Sequence, residues 1–341
     1  MPLIRPGDQL QMKNKSFGKT GIIASEYIFG TWYLPNNVTN GQKTVSKADS
    51  IKLIRKAYDL GINFFDTADV YRGVYNRDSK VPTYDTVGLS EKILGEALEG
   101  YDRDSFVVAT KVTGRTGPYP SDSGANRKHV FSALNNSLQR LKMDYVDFYL
   151  VHVPDPNTGI NETARTMNLL QNQAKILHYG LSNFPSHGLM EFLKLEHHEP
   201  PEFIQDKYNL IEREMESSNI KVAEENSLAS MIYSPLAQGV LAGRYLNSGS
   251  EESRAKYESL YKGVSLHEKN RKGLEELKDF ASSKGISMSQ LALAWLLHKG
   301  KYIFPILGAT KAEQLEENLS SGDISLTTRE IEELENHFQN L

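Results

Sequence analysis

The stretch SFVVAT at 105–110, the segment 127–141 and the stretch VDFYLV at 146–151 form the unit that decides the fold. The two outer stretches are short apolar runs, which predict buried strands. The segment between them is longer and amphipathic, which predicts a helix. A strand, a helix and a second strand in this order predict two parallel strands joined by a right-handed crossover.

The same alternation of short apolar runs and longer amphipathic segments extends over most of the chain. We predict eight strands, at roughly 27–31, 62–65, 105–110, 146–151, 177–180, 203–206, 229–233 and 303–307. We predict helices between and after them, at 46–59, 89–99, 127–141, 161–175, 186–197, 217–226, 267–284, 288–299 and 311–319. Ahead of the first strand, residues 15–23 predict a small β-hairpin, because glycines bracket its turn.

Eight strand–helix repeats in 341 residues favour an α/β fold in which the parallel strands close into a (β/α)8 TIM barrel. An open Rossmann sheet is the main rival, but no G-x-G-x-x-G follows the first strand. No composition shift marks a domain boundary, so we expect one domain over 1–341, with a core at about 13–319. The segments 72–88 and 244–266 look like long loops at the catalytic face.

Composition argues against several classes of protein. The net charge is only −4 and no basic stripe is visible, so nucleic acid is not an expected partner. The absence of cysteine excludes disulfides, thiolate catalysis and cysteine-ligated metals. No signal-peptide core occurs, and no run approaches the roughly 20 apolar residues that span a bilayer. We therefore expect a cytoplasmic protein that does not enter the membrane.

Reactive side chains gather where the predicted strands end. Asp66 and Tyr71 follow strand 2, Lys111 follows strand 3, and His152 follows strand 4. In a barrel the carboxyl ends of the strands meet at one mouth, so these four side chains should converge. Further polar or small residues follow strands 1, 2 and 4 to 7: Gly30, Thr31, Trp32, Asp69, Asp155, Ser182, Asn183, Gln205, Tyr233, Ser234, Gln238 and Gly239.

The combination of the four side chains suggests proton transfer. A phenol is a weak acid, and the ammonium of Lys111 should lower the pKa of Tyr71. Asp66 would pair with that ammonium, and His152 could orient a substrate oxygen. The set suits proton transfer to an oxygen while hydride arrives at carbon, and it contains no convincing metal cage. Taken singly, each residue also has an ordinary structural interpretation, such as a helix cap for Asp66.

The stretch GINFFDTADVY at 61–71 resembles the signature of the aldo-keto reductase family. Other stretches resemble the family in the family's order: GLSEKILGEAL at 88–98, ATKV at 109–112, SLQRL at 137–141, YVDFYLVH at 145–152, GLSNF at 180–184, QDKYNL at 205–210, YSPLAQG at 233–239 and PILGAT at 305–310. The resemblance covers about residues 13–319 and implies the barrel fold.

The resemblance also implies roles for the four reactive residues Asp66, Tyr71, Lys111 and His152, which we call the tetrad. Tyr71 would be the general acid in reduction and the base in oxidation, with its pKa lowered by Lys111. Asp66 would pair with Lys111, and His152 would orient the carbonyl. Together with Trp32, Tyr71 and His152 would contact the substrate, a small carbonyl or alcohol.

The family binds NADP(H) extended across the barrel mouth, without a Rossmann module. Ser182, Asn183 and Gln205 match the carboxamide-binding positions, and Tyr233 matches the residue that stacks on the nicotinamide. Lys311 would bind the 2′-phosphate, so NADP(H) is expected rather than NAD, although many NADP-preferring members carry a second basic residue where this chain has Ala312. The other expected contacts are Gly30, Thr31, Trp32, Asp66, Ser234, Pro235, Leu236, Gln238, Gly239, Leu241, Arg244, Gly308, Thr310, Gln314, Glu317 and Asn318.

Two other functions remain open. One is a weakly catalytic, NADP(H)-binding subunit that serves a partner, like the potassium-channel β-subunits that resemble this family. The other is a barrel lyase or isomerase that uses Lys111 as a Schiff base. The substrate and the oligomeric state are also open, since the family includes monomers and octamers and a homo-oligomer would fit it. We expect the loop 72–87 to border the carbonyl pocket, and aromatic candidates for that pocket are Trp32, Tyr33, Tyr75, Tyr84 and Phe184.

Overall fold

Eight parallel strands close into a barrel in the computed structural model, which describes residues 12–34, 45–71, 84, 86–244, 246 and 263–338. The strands are β3 (Ile28–Gly30), β4 (Phe64–Asp66), β5 (Val107–Val112), β6 (Val146–Val151), β7 (Ile176–Ser182), β8 (Phe203–Lys207), β9 (Ala229–Tyr233) and β10 (Ile303–Leu307). They pair in chain order and β10 returns to pair with β3, which closes the ring. The predicted (β/α)8 barrel is therefore confirmed.

Helices surround the barrel. They are α1 (Lys47–Asp59), α2 (Leu89–Leu98), α3 (Arg127–Leu141), α4 (Ile160–Asn172), α5 (Ser186–Leu193), α6 (Asn219–Asn226), α7 (Gly263–Lys269), α8 (Arg271–Ser283), α9 (Met288–His298), α10 (Ala312–Leu319) and α11 (Thr328–Asn336). Polar caps fix where several of them begin: Ser46 accepts a hydrogen bond from the backbone of α1, and Asn126 does so for α3.

Two helical predictions need correction. The helix predicted over 267–284 is two helices, α7 and α8, which meet at Asn270. The side-chain amide of Asn270 donates to the carbonyl of Leu266 at 2.8 Å, and such local bonds to the backbone compete with a continuous helix. Helix α11 was not predicted, although Thr327 and Glu330 form a capping box at its start.

An antiparallel hairpin closes the amino-terminal end of the barrel. Its strands are β1 (Asn14–Ser16) and β2 (Ile23–Ser25), as the glycine-bracketed turn predicted. The fully buried ring of Phe17 lies 4.6 Å from the ring of Phe148 and 4.8 Å from that of Phe304, measured between centroids. These contacts fill the barrel floor with aromatic rings, so the barrel is open only to the opposite, carboxyl end in the described ranges.

Both long loops predicted at the catalytic face fall largely outside the described residues. Of 72–88 the structure describes 84 and 86–88, and of 244–266 it describes 244, 246 and 263–266. The expectation for the loop 72–87 therefore stays a prediction. Every helix in the described ranges is too short or too polar to cross a membrane.

Candidate active site

A cavity of about 500 Å³ opens at the carboxyl ends of the strands. The tetrad reaches it from three neighbouring strands. Asp66 is the last residue of β4, Lys111 lies within β5, and His152 follows β6 directly. Tyr71 comes five residues after Asp66, on the segment that leaves β4. The convergence expected from the strand ends is therefore present in the structure.

Lys111 is the centre of this group. Its Nζ donates to the carboxylate of Asp66 and lies 2.8 and 2.7 Å from the two oxygens of that group. It also donates to the carbonyl of Thr67 at 2.7 Å and to the hydroxyl oxygen of Tyr71 at 2.9 Å. Carbonyl and carboxylate oxygens only accept hydrogen bonds, so this surrounding fits a charged ammonium. The lysine is therefore fixed from several directions and holds the phenol in place.

The ion pair of Lys111 and Asp66 is fully enclosed. Lys111 has 0% of its surface exposed and Asp66 has 2%. Burial lowers the pKa of Lys111 and raises the pKa of Asp66, and each group opposes the shift of the other. Asp66 Oδ1 accepts a further hydrogen bond at 2.8 Å from Gln205, which reaches it from β8 on the far side of the barrel. This hydrogen bond stabilises the charged carboxylate and opposes the rise in its pKa that burial causes.

The hydroxyl of Tyr71 is arranged to donate. Its oxygen accepts the hydrogen bond from Lys111, and the residue lines the cavity, so its own proton is available to a group bound there. Burial raises the pKa of Tyr71 well above its usual value, and the negative charge of Asp66 adds to this rise. We expected Lys111 to lower that pKa. The net shift of the Tyr71 pKa is upward instead, because burial of the phenol is its largest cause.

His152 lies beside the phenol as a neutral imidazole. Its ring centroid is 5.9 Å from that of Tyr71, with the rings at 70°. Burial and then the charge of Lys111 lower the pKa of His152 to about 3. One ring nitrogen of a neutral imidazole can donate a hydrogen bond and the other can accept one. The Trp32 ring, 44% exposed, lies 4.8 Å from the Tyr71 ring and borders the mouth on another side.

Amide and aromatic side chains form the wall next to the tetrad. Tyr233 at the end of β9 donates its hydroxyl proton to Asn183 Oδ1 at 2.7 Å. Asn183 Nδ2 in turn donates to the carbonyl of His152 and to the hydroxyl of Ser182, both at 2.9 Å. Asn183 has a positive φ of 61°, which Asn tolerates, and its backbone N–H is bound by Asp206. Hydrogen bonds therefore connect this wall to His152.

The segment after β9 turns sharply around the cavity. Four of its residues, Ser234, Ala237, Gln238 and Gly239, have positive φ angles. A Cβ atom at Gly239 would lie 2.8 Å from Cδ of Arg244, so glycine allows the arginine to lie against the turn. Arg244 lines the same cavity and adds a cation to it. A tight backbone turn with a cation above it suits an anionic ligand.

Comparison with known proteins agrees with this geometry. The profile of the Aldo/keto reductase family matches residues 26–339, which is most of the chain. The chain belongs to the aldo-keto reductase family. An L-glyceraldehyde 3-phosphate reductase of Escherichia coli O157:H7 is 31% identical over 344 residues, covering 98% of this chain and 95% of that protein. Thus an oxidoreductase is among its relatives.

Two plant relatives have a different description. Probable voltage-gated potassium channel β-subunits of Oryza sativa subsp. japonica and Arabidopsis thaliana are each 33% identical to this chain. The first match covers 94% of both chains, and the second covers 92% of both chains. The relatives therefore include both a reductase and proteins described as potassium-channel β-subunits.

Most residues expected to contact cofactor or substrate line the cavity. They are Gly30, Trp32, Asp66, Tyr71, His152, Ser182, Asn183, Gln205, Tyr233, Ser234, Pro235, Leu236, Gln238, Gly239, Arg244, Gly308, Thr310, Gln314 and Asn318. Five expected residues do not line it. Thr31, Lys111 and Leu241 are fully buried behind the surface, and Lys311 and Glu317 are exposed beside it.

Several lining residues were not among the expected contacts. They are Tyr33, Lys207, Glu212, Leu266, Ile306 and Leu307, of which Tyr33 had been named only as an aromatic candidate. The sequence could have indicated Lys207, because it lies two residues after Gln205 on the same strand and such residues point to the same face. Phe184 does not line the cavity, because its ring packs against that of Phe192 at 5.6 Å. Tyr75 lies outside the described residues, and Tyr84, which is described, is not a lining residue.

Proposed function

We propose that this chain is an NADP(H)-dependent aldo-keto reductase that reduces a small aldehyde or ketone to an alcohol, reversibly, within one domain. One observation supports this most strongly. Lys111 donates to the Tyr71 hydroxyl oxygen at 2.9 Å, so the phenol keeps its own proton for a ligand in the cavity. The buried carboxylate of Asp66 keeps the lysine charged and aimed.

The donor set of the cavity fits a nicotinamide dinucleotide. Ser182 supplies a hydroxyl and Asn183 and Gln205 supply side-chain amide oxygens for a carboxamide, and Tyr233 supplies an aromatic wall. Arg244 and the turn at 234–239 suit a pyrophosphate. NADPH, when bound, supplies the hydride that reduces the carbonyl carbon. The residues of the chain hold the substrate and move the proton.

The proton step follows from the orientation of two side chains. The carbonyl oxygen of the substrate accepts hydrogen bonds from the Tyr71 hydroxyl and the His152 ring. As negative charge develops on that oxygen, Tyr71 gives up its proton and the ammonium of Lys111, at 2.9 Å, stabilises the phenolate that remains. His152 stays neutral and fixes the approach of the oxygen.

We propose NADP(H) rather than NAD on the basis of Lys311. This residue is the N-cap of α10 and is exposed at its amino-terminal end. A 2′-phosphate at that place would meet both a cation and the positive end of a helix. The neighbouring Gln314 accepts from Thr310 at 3.1 Å, which orders the adenosine end of the cavity.

The substrate we propose is a small carbonyl compound, because one relative is an L-glyceraldehyde 3-phosphate reductase. We also propose a cytoplasmic location, in keeping with the cysteine-free sequence. Schiff-base chemistry on Lys111 is disfavoured. Its Nζ is held in hydrogen bonds to carboxylate and carbonyl oxygens that favour the ammonium, and an ammonium has no lone pair with which to attack.

A second candidate function is that of an NADP(H)-binding subunit with weak turnover. The identity to the two potassium-channel β-subunits favours it. The intact tetrad favours catalysis instead, and the two functions differ in a simple assay. Purified protein with NADPH and a panel of glyceraldehyde, methylglyoxal and 4-nitrobenzaldehyde should show carbonyl-dependent loss of NADPH absorbance. NADPH binding without turnover on any aldehyde would favour the subunit function.

A further inference from the structure

The cavity wall opposite the tetrad contains an ion pair that the proposed proton step does not use. Lys207, the last residue of β8, and Glu212 both line the cavity. Lys207 Nζ donates to Glu212 Oε1 at 2.6 Å. Strand β8 lies diametrically across the closed barrel from β4, which contains Asp66. A charged pair therefore faces the mouth from the side away from Tyr71.

The direction of Lys207 follows from its strand. Gln205 on β8 points into the barrel, because its amide reaches Asp66. Asp206 points outward, where it accepts at 2.9 Å from Asn219 of α6. Side chains alternate along a strand, so Lys207 shares the inner face with Gln205 and lies about 7 Å nearer the mouth. Its register partner on β9 is Tyr233, so the lysine lies beside the aromatic wall that we propose for the nicotinamide.

A hydrogen-bond chain connects the pair to the turn after β9. Glu212 Oε2 accepts at 3.1 Å from the amide of Asn209, and that amide also donates to the carbonyl of Ser234 at 3.0 Å. The side chain of Glu212 is 15% exposed and that of Lys207 is 42% exposed. The carboxylate thus belongs to the wall, while the ammonium it holds projects into the opening.

The ammonium has donors to spare. Lysine has three N–H donors, and within the described ranges Glu212 is the one side chain that Lys207 bonds. The remaining donors face a cavity that also contains Arg244. A fixed ammonium with unused donors, next to a sharp backbone turn, is suited to a phosphoryl oxygen.

We infer that Lys207 binds a phosphate group of a ligand lying across the mouth, and that Glu212 positions it for this. The inference rests on the proposed function. Two ligands bring such a group: the dinucleotide, through the phosphate on its nicotinamide side, and a phosphorylated aldehyde substrate. The two sources are separated by measuring cofactor affinity and substrate selectivity independently.

The test is Lys207→Gln, which keeps the length of the side chain but removes the charge. Lys47→Gln is the matched control, because Lys47 forms an ion pair of 2.7 Å with Glu96 on the outer surface. If the phosphate belongs to the cofactor, the Kd for NADPH, measured by fluorescence titration, should rise about three- to tenfold. This increase in Kd should be smaller at high salt, because salt screens the interaction between the ammonium and the phosphate. If it belongs to the substrate, KM for glycolaldehyde phosphate should rise by that factor at saturating NADPH, with no change for glycolaldehyde.

A double variant separates attraction from relief of repulsion. In Lys207→Gln the carboxylate of Glu212 faces the phosphate without its partner, which alone could weaken binding. Lys207→Gln/Glu212→Gln removes both charges. If affinity stays lower than in the wild type, Lys207 itself contacts the phosphate. Full recovery in the double variant would overturn the inference, since Lys207 would then only neutralise Glu212.

Two further outcomes are decisive. If Lys207→Gln leaves both the Kd for NADPH and the KM for glycolaldehyde phosphate within twofold of the wild type, the inference is wrong and the proposed function stands. If the wild-type protein does not bind NADPH, the proposed function fails and the inference fails with it. The Lys47→Gln control should match the wild type in every measurement.

Discussion

Lys111 Nζ lies 2.9 Å from the hydroxyl oxygen of Tyr71 and donates to it. This direction of donation matters, because a phenol that accepts from an ammonium keeps its own proton for another acceptor. It also places a positive charge where a phenolate would form. The same contact therefore serves both directions of the proposed reaction, as acid in reduction and as base in oxidation.

Replacing Tyr71 by phenylalanine should separate chemistry from binding. Tyr71→Phe removes only the hydroxyl, so fold and NADPH affinity should survive while the proton donor is lost. Single-turnover reduction should slow by a factor on the order of 10²–10⁴, the usual contribution of a general acid. The control is the Kd for NADPH, which should stay within twofold. Full single-turnover rate in this variant would show that another group supplies the proton.

Replacing Lys111 by methionine should cost stability as well as activity. Lys111→Met leaves the buried carboxylate of Asp66 without its cation, and breaking a buried ion pair in this way costs about 3–5 kcal/mol. Urea unfolding should show this loss. The double variant Asp66→Asn/Lys111→Met removes both charges and should recover much of the stability without recovering turnover. A double variant as unstable as the single one would mean that packing, not charge, accounts for the loss.

The pH dependence of reduction follows from two opposite shifts. Burial lowers the pKa of His152 to about 3 and raises the pKa of Tyr71 well above its usual value. Between about pH 5 and pH 9 the imidazole stays neutral and the phenol stays protonated, so kcat/KM for reduction should be nearly flat. Oxidation needs the phenolate and should rise with pH over the same range. An inflection in reduction near the ordinary pKa of histidine, about 6.5, would contradict this assignment.

Lys311 should distinguish the two cofactors. Lys311→Ala removes the cation proposed for the 2′-phosphate, and a charge-assisted contact of this kind is worth about 1.5 kcal/mol or more. Fluorescence titration should show the Kd for NADPH raised about tenfold or more and the Kd for NADH nearly unchanged. Lys301→Ala, at an exposed lysine before β10, is the control. Equal weakening of NADPH and NADH binding would mean that Lys311 does not read the phosphate.

Asp69 should make the fold less stable as pH rises. Neither of its carboxylate oxygens has a side-chain hydrogen-bond partner among the described residues, and the backbone N–H of Val70 lowers the pKa of Asp69 only in part. Burial, and then the charge of Glu91, raise the pKa of Asp69 well above its usual value. The folded state therefore holds a proton that the unfolded chain releases at about pH 4, so this contribution to stability is present at low pH and is lost as pH rises towards the folded pKa.

The test is Asp69→Asn, which keeps the shape and cannot ionise. The free energy of unfolding of the wild type, measured in urea between pH 5 and pH 8, should fall more steeply with pH than that of the variant. Arg140 and Lys111 attract the charged form of Asp69 and limit the difference. Parallel pH profiles for the two proteins would show that Asp69 is already ionised in the folded state.

The sequence alone was enough to predict the barrel and the convergence of the tetrad. Strand ends in a parallel barrel share one mouth, so placing Asp66, Lys111 and His152 at strand ends already brings them together. The hydrogen bond from Gln205 to Asp66 could not be predicted, because it spans 139 residues and the width of the barrel. The direction of the Tyr71 pKa shift was wrong for a similar reason. It depends on how completely the phenol is buried, which the sequence pattern does not reveal.

The aromatic floor around Phe17 has a kinetic consequence. Because rings fill the amino-terminal end of the barrel, cofactor and substrate must share the opposite opening as both entrance and exit. The proposed cofactor wall at Asn183 and Tyr233 adjoins the tetrad, so an aldehyde that arrived first would obstruct the place where the nicotinamide must lie. Steady-state turnover should then be sequential with a fixed order, cofactor entering first and leaving last. NADP⁺ should accordingly inhibit competitively against NADPH, and the alcohol product should not.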